Sequence, residues 1–208
     1  MYGRITRTKS SPDDLEKGVR NFQEQVVKPA SEQQGFAGIV LLVNRQTGEG
    51  LGITYWDDKA ALDASADKMK QVRENSTQVM GTQIVSVETA EIVSTERAGN
   101  PQAGSFIRYN SVQGSPDKID AAIEALQAKV LPVVKGLPGF RAMIIGVNRE
   151  TGKVGVSSVW DSAANREASD AKLKDLRRET AAKAGGEAKV ELFESAFVHF
   201  PVRAGTGS

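Results

Sequence analysis

Two arginines at equivalent places in the two halves of the chain are the first residues that could do chemistry. Arg4 and Arg108 lie 104 positions apart, each in a short β-rich stretch. By the two-residue alternation of a strand, Arg4 shares a face with Thr6, and Arg108 shares a face with Asn110. If that face lines a cavity, the arginines could hold an anionic or carbonyl-bearing ligand or stabilise an enolate. The alternative is a rim arginine paired with a surface carboxylate.

Two tryptophans repeat with the same spacing. Trp56 and Trp160 each end an apolar stretch, and Thr54 and Ser158 precede them by two residues and so share their face. A tryptophan in a cavity wall could stack a planar ligand, and the hydroxyls could bind its polar groups. The alternative is that the tryptophans pack in the core and the hydroxyls have no role in binding.

His199 is the only histidine, and the chain has no cysteine. An imidazole changes its protonation state near neutral pH and could serve as a general base, but the sequence identifies no carboxylate partner for it. We also consider that His199 is an exposed residue at a strand end. One histidine without cysteines excludes thiolate and multi-histidine metal sites. We therefore expect no metal and no cofactor.

The composition excludes several classes of partner. The 208 residues carry 27 Lys and Arg against 26 Asp and Glu, a formal charge of +1. Nucleic-acid binders normally need a basic surface, so we expect no nucleic-acid partner. The longest apolar run, residues 36–43, is too short to span a bilayer, and the N-terminus lacks the apolar core of a signal peptide. We expect a cytoplasmic protein with no membrane partner.

The sequence repeats itself at a constant offset of 104 residues. The matches are Ser11-Pro12-Asp13 with Ser115-Pro116-Asp117, Gly35-Phe36 with Gly139-Phe140, Val43-Asn44-Arg45 with Val147-Asn148-Arg149, Thr47-Gly48 with Thr151-Gly152, and Trp56-Asp57 with Trp160-Asp161. A period near 100 residues indicates a duplicated domain, because solenoid repeats are much shorter. The boundaries we predict are 1–97 and 105–201 for the repeats, 98–104 for a linker and 202–208 for a flexible tail.

Each repeat reads as a βαββαβ unit. We predict first strands over 2–8 and 106–112, nearly continuous apolar second strands over 36–44 and 140–148, return strands that end at the tryptophans, and last strands over 83–95 and 187–200. Ser11 and Ser115 are expected to cap the first helices, and Asp57 and Asp161 the second. Pro132 is expected to kink or end its helix. The other assignments are a solvated helix face for Lys68, Lys70, Arg73, Lys172, Lys174, Arg177 and Arg178, and a helix-facing core position for Tyr55 and Tyr109.

The apolar second strands decide the architecture. A βαββαβ unit gives an antiparallel sheet with both helices on one face, yet a strand that is apolar throughout must be covered on both faces. The simplest cover is the equivalent sheet of the other repeat. We therefore predict an α+β fold in which two tandem ferredoxin-like units pack their sheets face to face into one pseudo-symmetric barrel, whose interior could hold a ligand.

This pattern resembles the dimeric α+β barrel superfamily, and within it the antibiotic biosynthesis monooxygenase group. The resemblance covers roughly residues 2–95 and 105–200 and rests on the Ser-Pro helix starts, the Gly-Phe pairs and the Trp-Asp pairs. In many relatives two chains pair to make the barrel, so this chain resembles a fused version of that dimer. A further homodimer of the fused barrel is left open.

The resemblance implies either of two chemistries. Some members of the group are cofactor-free oxygenases of polyketide-like aromatics, and others degrade haem with an Asn, a Trp and a His. Asn110, Trp56 and Trp160 could correspond to the first two of these residues. No histidine lies in either second helix, where the haem ligand would be expected, so the resemblance does not extend to haem degradation.

Three functions remain in competition. The first is a cofactor-independent monooxygenase-like enzyme that acts on a small aromatic or enolisable compound in the barrel cavity. The second is a non-catalytic or stress-type barrel that binds a small hydrophobic ligand. The third is an oligomerisation module that uses its sheet edges. An enzyme should bring an arginine, Asn110 and a tryptophan to one open cavity, whereas an interaction module should have its interior packed shut.

Overall fold

The computed structural model of the chain describes residues 1–80, 82–99 and 102–201. The predicted tail, residues 202–208, lies outside the described residues, as do Asn100 and Pro101 of the predicted linker. The strands are β1 (Tyr2–Lys9), β2 (Phe36–Asn44), β3 (Glu49–Trp56), β4 (Gln83–Arg97), β5 (Phe106–Gln113), β6 (Phe140–Asn148), β7 (Lys153–Trp160) and β8 (Ala188–His199). All eight predicted strands are present, and the predicted bounds of β2 and β6 are confirmed to the residue.

Helices cover one face of each half of the sheet. They are α1 (Leu15–Phe22), α2 (Lys28–Ser31), α3 (Lys59–Ala64), α4 (Ala66–Met80), α5 (Ile119–Ala125), α6 (Leu131–Lys135), α7 (Ala163–Ala168) and α8 (Asp170–Ala184). Short 3₁₀ turns, Pro12–Asp14 and Pro116–Lys118, precede α1 and α5. Proline at the start of each turn has no backbone N–H, and none is needed there because the first N–H groups of a helix have no partner.

The helix does not end at Pro132, so that part of its predicted effect is wrong. Pro132 lies in the first turn of α6, and the preceding turn, Leu126–Val130, is a π-helix that leads from α5 into α6 without a break. The first repeat has the same arrangement, with a π-turn at Gln23–Val27 before Pro29. A wide turn moves the carbonyl groups away from the proline ring, so the helical path continues where an ordinary turn would clash.

The second helices begin one residue later than predicted. Asp58, not Asp57, caps α3 with a side-chain acceptor for the N–H of Ala61. Ser162, not Asp161, caps α7 in the same way. Asp57 and Asp161 each donate a backbone N–H to a second sequence motif.

The Trp-Asp and Gly-Phe motifs meet each other in space. The N–H of Asp57 donates to the carbonyl of Gly35 at 2.8 Å, and the N–H of Asp161 donates to that of Gly139 at 2.9 Å. Gly35 has a φ of +74°, and a Cβ there would lie 2.5 Å from the Cβ of Ala61. Glycine is therefore required by both backbone conformation and space, and the motifs that suggested the family are structural.

The eight strands form one closed antiparallel barrel in the order β1-β3-β2-β8-β5-β7-β6-β4. The predicted α+β barrel is thereby confirmed. The chain divides into two compact units, Met1–Glu88 with the residues from Ala196 onward, and Thr89–Ser195. Strands β4 and β8 are each divided between the units. The paired part of β4, Glu91–Arg97, lies against β6 in the second unit.

Each unit has its own apolar core between sheet and helices. In the first unit it centres on Trp56, Ile39 and Met69, and in the second on Trp160 and Met143. Arg4, Thr54 and Trp56 face the helices, since Arg4 hydrogen-bonds α3. Alternation then places Tyr55 on the opposite face, so its predicted helix-facing position is wrong.

Candidate functional site

Arg4 is buried between β1 and the helices. Only 5% of the residue is exposed. Its guanidinium donates to the Oγ of Ser65 at 2.9 Å and to the carbonyl of Leu62 at 2.6 Å, and it lies 5.7 Å from the ring centroid of Trp56. Burial and, after it, the charge of Arg73 lower the pKa of Arg4 to about 10, while Asp63 acts in the opposite direction. Arg4 stays charged at neutral pH and is not a rim residue.

Arg108 occupies the equivalent place in the second unit and has a carboxylate partner. It is 3% exposed and donates to the Oγ of Ser169 at 2.6 Å. Oδ1 of Asp170 lies 3.6 Å from Arg108 and accepts a 2.8 Å hydrogen bond from Arg177. Burial lowers the pKa of Arg108, and the charge of Asp170 partly offsets that effect. The carboxylate thus bridges two arginines.

Both tryptophans are core residues. Trp56 and Trp160 are fully buried, and their indole N–H groups donate to Thr54 and Ser158 at 3.1 Å in each unit. A buried indole needs such a partner. The hydroxyls that sequence assigned to ligand binding therefore satisfy the tryptophans, although both also line cavities.

Each unit has a largely apolar cavity between its sheet and its helices. The cavity of the first unit is about 80 Å³, and Thr6, Thr54 and Arg73 are among its lining residues. The cavity of the second unit is about 50 Å³ and is lined by groups that include Arg108 and Asn110. The sequence had suggested a cavity inside the barrel, whereas these cavities lie on the helix side of the sheet.

Among the described residues, only one of the two polar atoms of the Asn110 amide has a hydrogen-bond partner. Its Nδ2 lies 3.5 Å from the carbonyl of Val156, whereas its Oδ1 is buried and has no hydrogen-bond partner within the described part of the chain. A buried acceptor without a donor costs about 1–3 kcal/mol. Asn110 also lines the cavity of the second unit, which makes it a candidate for contact with a ligand.

Sequence reasoning missed Arg73 and Arg177. They were assigned to a solvated helix face, yet Arg73 lines the first cavity and Arg177 the second. Spacing could have found them, because Arg73 follows the buried Met69 by four residues and precedes the buried Ser76 by three. Residues so spaced share one helix face.

His199 does not join either cavity. It is exposed at the end of β8, and its ring stacks on Phe36 with centroids 6.4 Å apart. This position agrees with the interpretation of an exposed strand-end residue.

Comparison with known proteins gives relatives without a described activity. No protein-family model matches the chain. The uncharacterized protein Rv2557 of Mycobacterium tuberculosis (strain ATCC 25618 / H37Rv) is 28% identical over 203 residues, which cover 97% of this chain and 90% of that protein.

Solved structures identify the fold. An anthrone oxidase-like protein superposes with a TM-score of 0.70 at 16% identity, covering 96% of this chain and 93% of that one. A candidate monooxygenase of Fusobacterium nucleatum subsp. nucleatum ATCC 25586 gives a TM-score of 0.69 at 14% identity, with coverages of 96% and 94%. The chain has the dimeric α+β barrel fold. The resemblance that rests on the Ser-Pro, Gly-Phe and Trp-Asp motifs is confirmed for the fold.

In residues 1–80, 82–99 and 102–201, acidic and histidine side chains do not gather in groups of three that could hold a metal ion. The helices in those same ranges are too short or too polar to cross a bilayer.

The contacts of Asp170 with Arg108 and Arg177 should stabilise the folded protein in a way that depends on pH. Burial alone would raise the pKa of Asp170, but the hydrogen bond from Arg177 and the charges of Arg177 and Arg108 hold it below the ordinary 3.8. We expect Asp170→Asn to lower the free energy of unfolding by about 0.5–1 kcal/mol at pH 7, because 40% of the Asp170 side chain is exposed and solvent screens its ion pairs. Because the folded pKa is depressed, this contribution is present above about pH 4 and is lost as the pH falls through the folded pKa. Urea unfolding at pH 7, 5 and 3.5 would measure it, and a difference between the variants that does not shrink towards pH 3.5 would contradict it.

Proposed function

We propose that the chain is an enzyme of the cofactor-independent monooxygenase type, acting on a small aromatic or enolisable compound in the cavity of the second unit. The observation that carries this proposal is the buried, unpartnered Oδ1 of Asn110, a residue that lines the cavity together with Arg108 and Arg177. A phenolic or enolic O–H is a donor that suits this oxygen. The negative charge of the ionised substrate suits the two arginines.

The electrostatics favour an enolate. Two guanidinium groups share one carboxylate, so the wall keeps a net positive charge beside a largely apolar space. An enolate formed there is stabilised by charges that are already in place. The tight hydrogen bonds of Arg108 and Arg177 to Ser169 and Asp170 hold those charges fixed.

The chemistry balances with dioxygen as the oxidant. A substrate carbon of the type CH₂, either beside a carbonyl group or conjugated with one through an aromatic ring as in anthrone, loses a proton to give an enolate. The enolate then reacts with O₂ so that CH₂ plus O₂ becomes C=O plus H₂O. Four electrons leave the carbon, and O₂ accepts them, with one oxygen atom retained in the product and one released as water. The anthrone oxidase-like structural neighbour points to the same substrate class.

The described lining residues restrict the substrate further. They include no carboxylate or imidazole, and the depressed pKa of nearby Asp170 makes that group a poor base. The substrate proton must therefore leave to water. We propose substrates that are acidic enough to ionise near neutral pH without a protein base.

Because the cavity is only about 50 Å³, the test uses a small enolisable compound, pentane-2,4-dione, beside the larger anthrone, each in aerated buffer. We expect the protein to accelerate O₂ uptake with the small compound above the spontaneous rate. We expect Asn110→Leu, which removes the unpartnered acceptor, to lower that acceleration by about tenfold to a hundredfold. Asn75→Leu changes an exposed asparagine of α4 and serves as the matched control.

Two outcomes would speak against the enzyme. One is a rate equal to that of buffer, and the other is an Asn110→Leu variant as active as the Asn75→Leu control. A non-catalytic binding role is the second candidate, because the cavity of about 50 Å³ is small and its described lining lacks a base. Saturable binding of pentane-2,4-dione without O₂ uptake would favour that role.

A further inference from the structure

The two units differ at one charged position. Arg4 and Arg73 in the first unit correspond to Arg108 and Arg177 in the second. In the second unit, Oδ1 of Asp170 lies 2.8 Å from Arg177 and 3.6 Å from Arg108. The residue of the first unit that corresponds to Asp170 is Ala66. The first unit therefore keeps the two cations and lacks the carboxylate that joins them.

Arg73 has no counter-ion in contact. Within residues 1–80, 82–99 and 102–201, no hydrogen bond or ion pair reaches its half-buried guanidinium. The pKa of Arg73 is lowered by burial, and only the adjacent Glu74 acts to raise it. Glu74 itself lies on the exposed side of α4, with its carboxylate 4.0 Å from Lys70.

The neighbours of Arg4 do not supply the missing anion either. Its guanidinium is bound to the neutral oxygens of Ser65 and Leu62. Asp63 acts on it only at a distance and makes a 2.7 Å contact with Lys59 instead. Burial and the charge of Arg73 both disfavour the charged form of Arg4. An anion between the two arginines would relieve this repulsion.

The space beside Arg73 suits an apolar body. The first cavity, about 80 Å³ against about 50 Å³ in the second, is lined mainly by carbon atoms of residues such as Leu15, Phe22 and Met69. Part of the difference has a local cause, because Gly50 and Gly52 line the first cavity where Val154 and Val156 line the second.

We propose that the first unit binds a small organic carboxylate, its carboxylate lying between Arg4 and Arg73 as Asp170 lies between Arg108 and Arg177, and its apolar body reaching into the cavity that Arg73, but not Arg4, lines. The second unit itself shows that a single carboxylate fits two arginines in this arrangement. The proposal does not depend on oxygenase activity, since it concerns binding in the other unit.

Calorimetric titration of the full chain tests it, with propanoate and butanoate as probes, since the cavity is about 80 Å³, and with propanamide and butanamide as uncharged matches. We expect the carboxylates to bind at one equivalent and the amides at least about tenfold more weakly, because charge-assisted hydrogen bonds are lost. Arg73→Met should weaken carboxylate binding by about tenfold to a hundredfold.

Ala66→Asp is the sharper variant. Ala66 is exposed at the start of α4, where an aspartate favours the helix dipole, so the variant should fold. It should place a carboxylate beside Arg4 and Arg73, as in the second unit, and weaken carboxylate binding by about tenfold or more. Lys68→Met removes an exposed charge from the same helix and should leave the affinity unchanged.

The proposal is overturned by any of three results. These are no binding of either carboxylate, equal binding of carboxylates and amides, or wild-type carboxylate affinity in folded Ala66→Asp. Circular dichroism of each variant establishes folding. Turnover of pentane-2,4-dione is measured separately, so a failure here is distinguishable from a failure of the oxygenase proposal.

Discussion

Each half of the chain expressed alone, as residues 1–97 or 105–201, should fail to give a folded monomer. The C-terminal part of the last strand of each repeat belongs to the compact unit of the other repeat. Residues 91–97 of β4 pair with β6 in the second unit, so the fragment 105–201 loses a strand partner. The fragment 1–97 loses Phe197, whose ring packs 6.3 Å from that of Phe22 in the first unit. Unpaired strand edges and bare apolar faces favour association.

Size-exclusion chromatography and circular dichroism of the two fragments would measure this. We expect aggregates or self-paired oligomers from each fragment alone, and recovery of a 1:1 complex with the spectrum of the intact chain when both are refolded together. The matched control is the full chain with a protease site between residues 98 and 104, whose cleaved halves should stay together. A monomeric fragment that unfolds cooperatively would refute the expectation.

Replacing Trp56 by alanine should destabilise the protein by about 3–5 kcal/mol, the range for truncating a fully buried aromatic residue. Trp56 is 0% exposed and packs edge-on against Phe36 with centroids 6.0 Å apart. Its ring centroid also lies 5.7 Å from the guanidinium carbon of Arg4, and its indole N–H donates a hydrogen bond to Thr54. The large cavity that alanine would leave cannot be refilled by a close-packed core.

Urea denaturation followed by circular dichroism would test the loss. Trp160→Ala should cost a similar amount, because that ring is equally buried and lies 6.0 Å from Phe140. Val85→Ala, at a residue 56% exposed, is the control and should change the free energy of unfolding by less than about 0.5 kcal/mol. A Trp56→Ala loss no larger than that of the control would show that the ring is not a core support.

Much of the fold could be predicted because its signals are local or repeated. The bounds of β2 and β6 follow from nearly continuous apolar runs, and the second repeat allows each assignment to be checked against the first. The path of the chain through Pro132 could not be predicted, because a π-turn depends on how the whole helix packs on its sheet. The caps at Asp58 and Ser162 were missed because Asp57 and Asp161, one residue earlier, are equally good cap residues by type.

The site was predicted less well than the fold. Sequence selected Arg4, Arg108 and Asn110, and all three lie on the helix side of the sheet. It could not give the side of the sheet on which a cavity lies, because alternation fixes only which residues share a face. Sequence reasoning did not distinguish Arg73 and Arg177 from the neighbouring lysines, because a cation on a helix is usually solvated. Only their spacing of four residues from the buried Met69 and Leu173 indicates that they face the core.

Because both units belong to one chain, the sequence around each cavity can vary separately. In a barrel of two identical chains, a substitution at one site appears at once at the other, so the pair can never specialise. Here Gly52 faces Phe22 while its counterpart Val156 narrows the second cavity, and Ala66 stands where the other unit has Asp170. A point mutation can thus change the size or charge of one cavity and leave the other cavity unchanged. The two cavities can therefore come to bind different ligands.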